Sequence, residues 1–117
     1  MDKTRAIDVA RQYADAVVKE MSPSPNKIVL FGSYAKGNAS ETSDIDIAVI
    51  FDGFNGDWFQ TCVQLSGLTW SVNAAIEPIL LDSQDDRTGF VEEVMRTGEL
   101  VYQREEKYNE ASNHFNG

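Results

Sequence analysis

The stretch that decides the fold is Lys27-Ile28-Val29-Leu30-Phe31-Gly32-Ser33-Tyr34-Ala35-Lys36-Gly37, followed after six residues by Asp44-Ile45-Asp46-Ile47-Ala48-Val49-Ile50-Phe51. Lys27 to Phe31 is a short run rich in β-branched and aromatic residues, halted by Gly32, and reads as a buried strand. Gly32 to Ser43 is rich in Gly, Ser, Asn and Thr and reads as a loop, with room for one helical turn over Tyr34-Ala35-Lys36. Asp44 to Phe51 reads as a second strand, apolar except for its two acids. A strand, a glycine turn and a second strand opened by paired acids form the centre from which the rest is placed.

On the N-terminal side, Ile7, Ala10, Ala14, Val17 and Met21 recur at three- and four-residue spacing, which predicts an amphipathic helix. Ser22-Pro23-Ser24-Pro25 ends it, because each proline lacks an N–H and disfavours helix in the residue before it. On the C-terminal side, Asp52-Gly53-Phe54-Asn55-Gly56 is a turn cluster. From Asp57, a plausible N-cap, to about Trp70, the residues Trp58, Phe59, Cys62, Leu65 and Leu68 predict a second helix. Ser71 to Leu81 reads as a third strand, weakest at its start. Thr88 to Thr97 reads as a helix closed by Gly98 as a C′ residue. Val101-Tyr102 adds a final short strand or packing contact. The expected architecture is α/β (α+β): a small mixed sheet of three to four strands with helices mainly on one face. The expected domain is 1–102, with 103–117 a polar, mobile C-terminal tail.

The whole chain is 117 residues, one domain's worth, with 42% hydrophobic and 25% charged residues, which excludes a disordered or fibrous chain. Ten Lys and Arg against 19 Asp and Glu give a net charge of −9. Such a surface repels phosphate backbones and anionic membranes, so direct DNA or RNA binding is not expected. A local site with metal ions can still take a small anion. The single cysteine, Cys62, cannot form an internal disulfide, and the polar start Met1-Asp2-Lys3-Thr4-Arg5 has no apolar signal core. Both favour a reducing, cytoplasmic location. No apolar run approaches the roughly 20 residues of a spanning helix.

The chemistry lies in the central stretch. Asp44 and Asp46 are two apart, so on a strand they point to one face about 6.6–6.8 Å apart. Two carboxylates on one face of a buried strand repel each other, and neither is easily desolvated alone. Hard divalent ions that prefer oxygen ligands would neutralise the pair. Alone, such a pair can equally open a strand at a solvent edge or cap a neighbouring helix. The adjoining Gly32-Ser33 narrows the choice. Glycine lets backbone approach a ligand closely, and successive N–H groups with the Ser33 hydroxyl can cradle phosphate oxygens, Lys36 adding charge. If the two strands are neighbours, cradle and acids converge on a nucleotide triphosphate with its metals.

These residues resemble the signature of the nucleotidyltransferase superfamily with the DNA-polymerase-β-like fold, in its small minimal branch. The matching elements are Ile28 to Ser33, Lys36-Gly37 and Ser43-Asp44-Ile45-Asp46, with ten residues between Ser33 and Asp44. The resemblance implies that Gly32, Ser33, Lys36 and Ser43 bind the nucleotide, and that Asp44 and Asp46 hold one or two Mg²⁺ ions, with Mn²⁺ an alternative. It also calls for a third carboxylate from a later strand. Glu77, interrupting Ala74-Ala75-Ile76-Glu77-Pro78-Ile79-Leu80, is the match, although it is Glu rather than the commoner Asp and precedes a proline. The implied reaction moves a nucleotidyl group, AMP from ATP, to an acceptor hydroxyl with release of pyrophosphate. The two ions implied, about 3.5–4 Å apart, act on the attacking and leaving oxygens.

Nothing in the sequence resembles a separate acceptor domain, so acceptor specificity is expected from a partner protein or another copy of the chain. The resemblance points to a HEPN-type helical toxin, neutralised by binding or by adenylylation. The alternatives are a non-catalytic antitoxin or interaction module, and a transferase acting on a small molecule of the aminoglycoside type. Trp58, Phe59 and Trp70 are expected in the core, an exposed partner patch being the alternative. Cys62 is expected to be a small core residue. Asp52 and Asp82 are expected in turns, and His114 and Arg104-Glu105-Glu106-Lys107 to carry no chemistry.

Overall fold

A computed structural model of the chain describes residues 1–105. The expectations for His114 and for most of the tail fall outside these residues. The described elements include α1 (Lys3–Glu20), β1 (Lys27–Phe31), α2 (Gly32–Lys36), β2 (Ile45–Phe51), α3 (Trp58–Leu68), β3 (Ile76–Asp82), α4 (Phe90–Thr97) and β4 (Glu99–Gln103). The strands form one sheet in the order β3-β2-β1-β4. β1 pairs antiparallel with both β2 and β4, whereas β2 and β3 are parallel. A parallel pair needs a crossover, and α3 supplies it.

Alternation along the strands sorts two cores. Ile28, Leu30, Ile45, Ile47 and Val49 face α1 and α3, where they pack on Val9, Tyr13, Val17 and Leu65. Val29, Ala48 and Ile50 face the other way and are covered by Val91 and Val94 of α4. The helices therefore lie mainly on one face. Asp2 caps α1, its carboxylate accepting from the Arg5 N–H at 2.8 Å. Burial pushes the Tyr13 hydroxyl's pKa upward, and the group donates to the Leu65 carbonyl at 2.6 Å, tying α1 to α3. No helix among the described residues is long and apolar enough to cross a membrane.

Two expectations need correction. The third strand starts at Ile76, not Ser71: α3 runs on into a 3₁₀ turn over Thr69–Ser71, and the Asn73 side chain then accepts from the Ala75 N–H at 2.8 Å. Of the three aromatics expected in the core, Phe59 and Trp70 are 71% and 81% exposed and Trp58 is 45% exposed. The face of α3 that meets the sheet carries Leu65, with Cys62 and Leu68 partly buried beside it. Gly98 closes α4 as expected, in extended backbone with φ −89° and ψ 178°. Its requirement is space, since a Cβ there would meet Val29 Cγ1 at 2.5 Å and the Leu30 and Val94 carbonyl oxygens at 2.7 Å.

The expected turn acids are seen at the ends of β2 and β3. Asp82 accepts N–H bonds from Phe54, Gln84 and Gly53; the Phe54 bond does most to lower its pKa. Asp52 accepts from the Ser83 hydroxyl at 2.6 Å.

Gly98→Ala should cost about 1–3 kcal/mol by forcing α4 away from β1. Urea unfolding of the two proteins checks this.

Candidate active site

β1 ends where β2 and β3 begin, so one end of the sheet gathers three features. Phe31 is the register partner of Asp46 on β2, and Asp46 is the register partner of Glu77 on β3. Partners across a ladder share a face, so Phe31, Asp46 and Glu77 make one row on the side that α4 covers. Asp44 stands two residues before Asp46 and one before β2. The acid pair thus straddles the start of β2, and the parallel register brings Glu77, 31 residues further on, beside Asp46.

The three carboxylates differ in surroundings. Asp44 and Glu77 are exposed; Asp46 is half-buried. Burial raises the Asp46 pKa above the ordinary carboxylate value, and the charges of Asp44 and Glu77 raise it further. Phe31 is half-buried in the same row and packs edge-to-face on Phe90 of α4, with ring centroids 5.7 Å apart. This aromatic pair is the part of the site that the sequence reading missed. The only signal was the position of Phe31 immediately before Gly32.

Gly32 is fixed by both conformation and space. Its φ is +74°, in the left-handed region, and a Cβ on it would overlap Asp46 Oδ2. The Asp46 carboxylate therefore lies directly over the Gly32 backbone. From Gly32 the chain turns through α2, whose start has no side-chain cap. The first N–H groups of a helical turn have no partner within it. Ser33 is half-buried beside them, and Lys36 is exposed at the far end of the turn. Gly37, with φ +78°, closes α2, and the Asn38 N–H donates to the Ser33 carbonyl at 3.0 Å. The Ser43 hydroxyl accepts from the Ser40 N–H at 2.9 Å, while the Ser43 N–H donates to the Ser40 carbonyl at 3.1 Å. Ser43 thus holds the turn that delivers Asp44, and its hydroxyl is already engaged there.

The donor set for a cation is all carboxylate oxygen, which suits hard ions of the Mg²⁺ or Mn²⁺ type. Among the described residues, no group of three His, Cys, Asp or Glu side chains is drawn together tightly enough to grip an ion. The fit lies in the donor chemistry and in the unrelieved repulsion at Asp46. Two cavities elsewhere, of about 380 and 470 Å³, include none of the three carboxylates. A hollow of about 180 Å³ beside the α2 loop is lined by Lys3, Tyr34 and Gly37.

Comparison with known proteins places the chain by family and fold. Residues 15–107 match the family described as polymerase beta, nucleotidyltransferase. The chain is 31% identical over 104 residues to a "putative protein adenylyltransferase" of Methanocaldococcus jannaschii, covering 87% of this chain and 100% of that one. A crystal structure of a "putative nucleotidyltransferase" from Sulfolobus solfataricus superposes with a TM-score of 0.65 at 25% identity, covering 87% of this chain and 84% of that one. A toxin–antitoxin structure with AMP-PNP shares the fold, with a TM-score of 0.54 at 24% identity over 79% of this chain and 74% of that one.

Two outcomes follow from the crowding at Asp46. Its raised pKa means that the metal-free folded state holds a proton there which the unfolded chain has released, so stability falls as pH rises from the ordinary carboxylate value through the raised one. Asp46→Asn should therefore raise the thermal midpoint of the metal-free protein at neutral pH, and the gain should shrink near about pH 4, where the unfolded carboxyl is also protonated. Gly32→Ala should lower that midpoint at both values, since it combines a left-handed φ with a clash. Differential scanning fluorimetry of the three proteins in a chelating buffer measures both effects.

Proposed function

The chain belongs to the polymerase-β-like nucleotidyltransferase family and is a nucleotidyltransferase, and from that premise we propose that it transfers an adenylyl group from ATP to a hydroxyl on a partner protein. One observation carries the reading. Asp46 sits between Asp44 and Glu77 and directly over Gly32, so acids and phosphate turn share one end of the sheet. Adenine as the base is supported by the M. jannaschii relative's name and by AMP-PNP in the toxin–antitoxin structure. A protein acceptor is supported by the relative's name, and a partner protein by the toxin–antitoxin structure.

Each residue then has a task. The Gly32-Ser33 turn receives the triphosphate through its backbone N–H groups, where a Cβ-bearing residue would hold the phosphates away from Asp46. The Ser33 hydroxyl adds a donor, and Lys36 at the rim offsets phosphate charge. Asp44 and Asp46, with Glu77 from β3, would hold Mg²⁺. When bound, Mg²⁺ supplies Lewis-acid neutralisation of the charge that develops as the acceptor oxygen bonds to the α-phosphorus and the bond to pyrophosphate breaks. Glu77, exposed at the start of β3, accepts the proton leaving the acceptor hydroxyl. Ser43 acts indirectly, holding the turn that presents Asp44. Phe31 and Phe90 keep water from one side of Asp46, strengthening its interaction with a cation.

The partner is read as a HEPN-type helical toxin, whose adenylylation would silence it, in the cytoplasm where ATP and Mg²⁺ are abundant. The net charge of −9 turns nucleic acid away and favours a basic partner surface.

Incubation of the protein and a co-expressed partner with ATP labelled at the α-phosphate tests this. Label should pass covalently to the partner, whereas γ-labelled ATP should transfer none. Replacing groups outside a metal's direct ligands costs about 10–100-fold, so Asp46→Asn should reduce transfer by at least about 100-fold. Unchanged turnover by that variant would refute the assignment.

A further inference from the structure

Among the described residues, the three most exposed large apolar side chains, Trp70, Phe59 and Val63, all lie along α3 and its 3₁₀ extension, where the catalytic reading leaves them unused. Phe59, Val63, Ser66 and Trp70 are all exposed and stand four, three and four residues apart, the Trp70 backbone lying in the 3₁₀ turn that extends the helix. That spacing is the seam of a helix meant to pack against another helix. Phe59 is 71%, Val63 51% and Trp70 81% exposed, so the stripe is not a by-product of core packing. Leu65, on the opposite side of the helix, is buried against the sheet.

We propose that this stripe is the contact between two copies of the chain, with the two α3 helices antiparallel across a two-fold axis. Three observations select a second copy over another occupant. The 4-3-4 spacing reads the same in both directions, so two antiparallel copies place Phe59 opposite Trp70 and Val63 opposite Ser66 at both ends of the contact. Large residues lie at the ends and small ones at the centre, where Gly67 has open space in place of a side chain, so the backbones can approach closely.

Charge gives the second observation. The 19 residues from Trp58 to Ile76 contain no Asp, Glu, Lys or Arg, in a chain whose net charge is −9. Two such chains repel each other, and a charge-free face is where they meet at least cost. A basic partner gains nothing from that face and would be drawn to the acidic ones.

Area is the third. Aromatic side chains bury about 150–250 Å² each, so the exposed parts of Phe59 and Trp70 leave on the order of 300 Å² in water, with Val63 between them. That is more than a third of the roughly 800 Å² that each partner contributes to a standard interface, and it forms the apolar centre that a polar rim of Gln60 and Gln64 can complete. The contact does not touch Asp44, Asp46 or Glu77, so it holds or fails independently of the catalytic reading.

Sedimentation equilibrium of the full chain, from low to high micromolar concentration, tests the proposal. The wild type should approach twice the monomer mass. Phe59→Glu and Trp70→Glu should each raise the dissociation constant by at least about thirtyfold, as expected for a central aromatic anchor. Both side chains face water, so both variants should keep the wild-type circular dichroism and thermal midpoint. A wild type that stays monomeric throughout overturns the proposal and leaves the stripe to a different protein. A dimer that neither substitution weakens overturns it as well.

Discussion

The Asp46 carboxylate lies over the backbone of Gly32, and much of the molecule is arranged around that contact. It requires β1 to end in a glycine with positive φ, β2 to run antiparallel beside it, and the chain to turn away immediately through α2. It also requires β3 to lie parallel to β2, because only that register sets Glu77 beside Asp46. The crossover helix α3 exists to return the chain for that parallel pairing. The cost is electrostatic: three acids at one end of a sheet, the middle one half-buried, with its pKa raised by burial and by both neighbours. A fold retains such a conflict where function uses it, and a divalent cation bound there would relieve the repulsion.

The two faces of the sheet divide the labour. The larger core, under α1 and α3, supplies stability through residues such as Tyr13, Leu30 and Ile47. The smaller core under α4 lies on the side that bears Phe31, Asp46 and Glu77. Phe90 opens α4 and stacks edge-on against Phe31, so the helix that covers this core also walls one side of the site. At the opposite end of the sheet, Asp82 anchors the turn after β2 through the Gly53 and Phe54 N–H groups and caps the turn after β3 through the Gln84 N–H. Acids there are satisfied by the protein itself. Among the described residues, the acids at the candidate-site end have no such donors.

The strand–glycine–strand centre was legible because it is local: hydrophobic runs, a glycine stop and two acids two residues apart follow directly from the chain. α1 was legible for the same reason, its apolar residues keeping one helical face. What escaped depends on contacts between distant segments. Trp58 and Phe59 precede a helix interior that is apolar on several sides, and hydrophobicity alone does not say that Leu65 turns to the sheet while Phe59 turns to water. Ser71 to Ala75 carries no strong signal of either kind, and the Asn73 side chain settles it as a turn. Gly98 reads as a helix terminator and is one, but its second role, letting α4 approach Val29 and Leu30, depends on those distant residues. Glu77 could be suspected from an apolar run, but only the register sets it beside Asp46.

The central claim is that the Asp44, Asp46 and Glu77 carboxylates and the Gly32-Ser33 turn form one nucleotide site that requires a divalent ion. Calorimetric titration of ATP into the purified protein, with and without Mg²⁺, tests it most directly when run beside an Asp44→Asn/Asp46→Asn double variant. Saturable binding is expected only for the wild type with Mg²⁺, and loss of that heat in the double variant would tie it to the acid pair. Equal binding with and without the ion, or by the double variant, would contradict the claim.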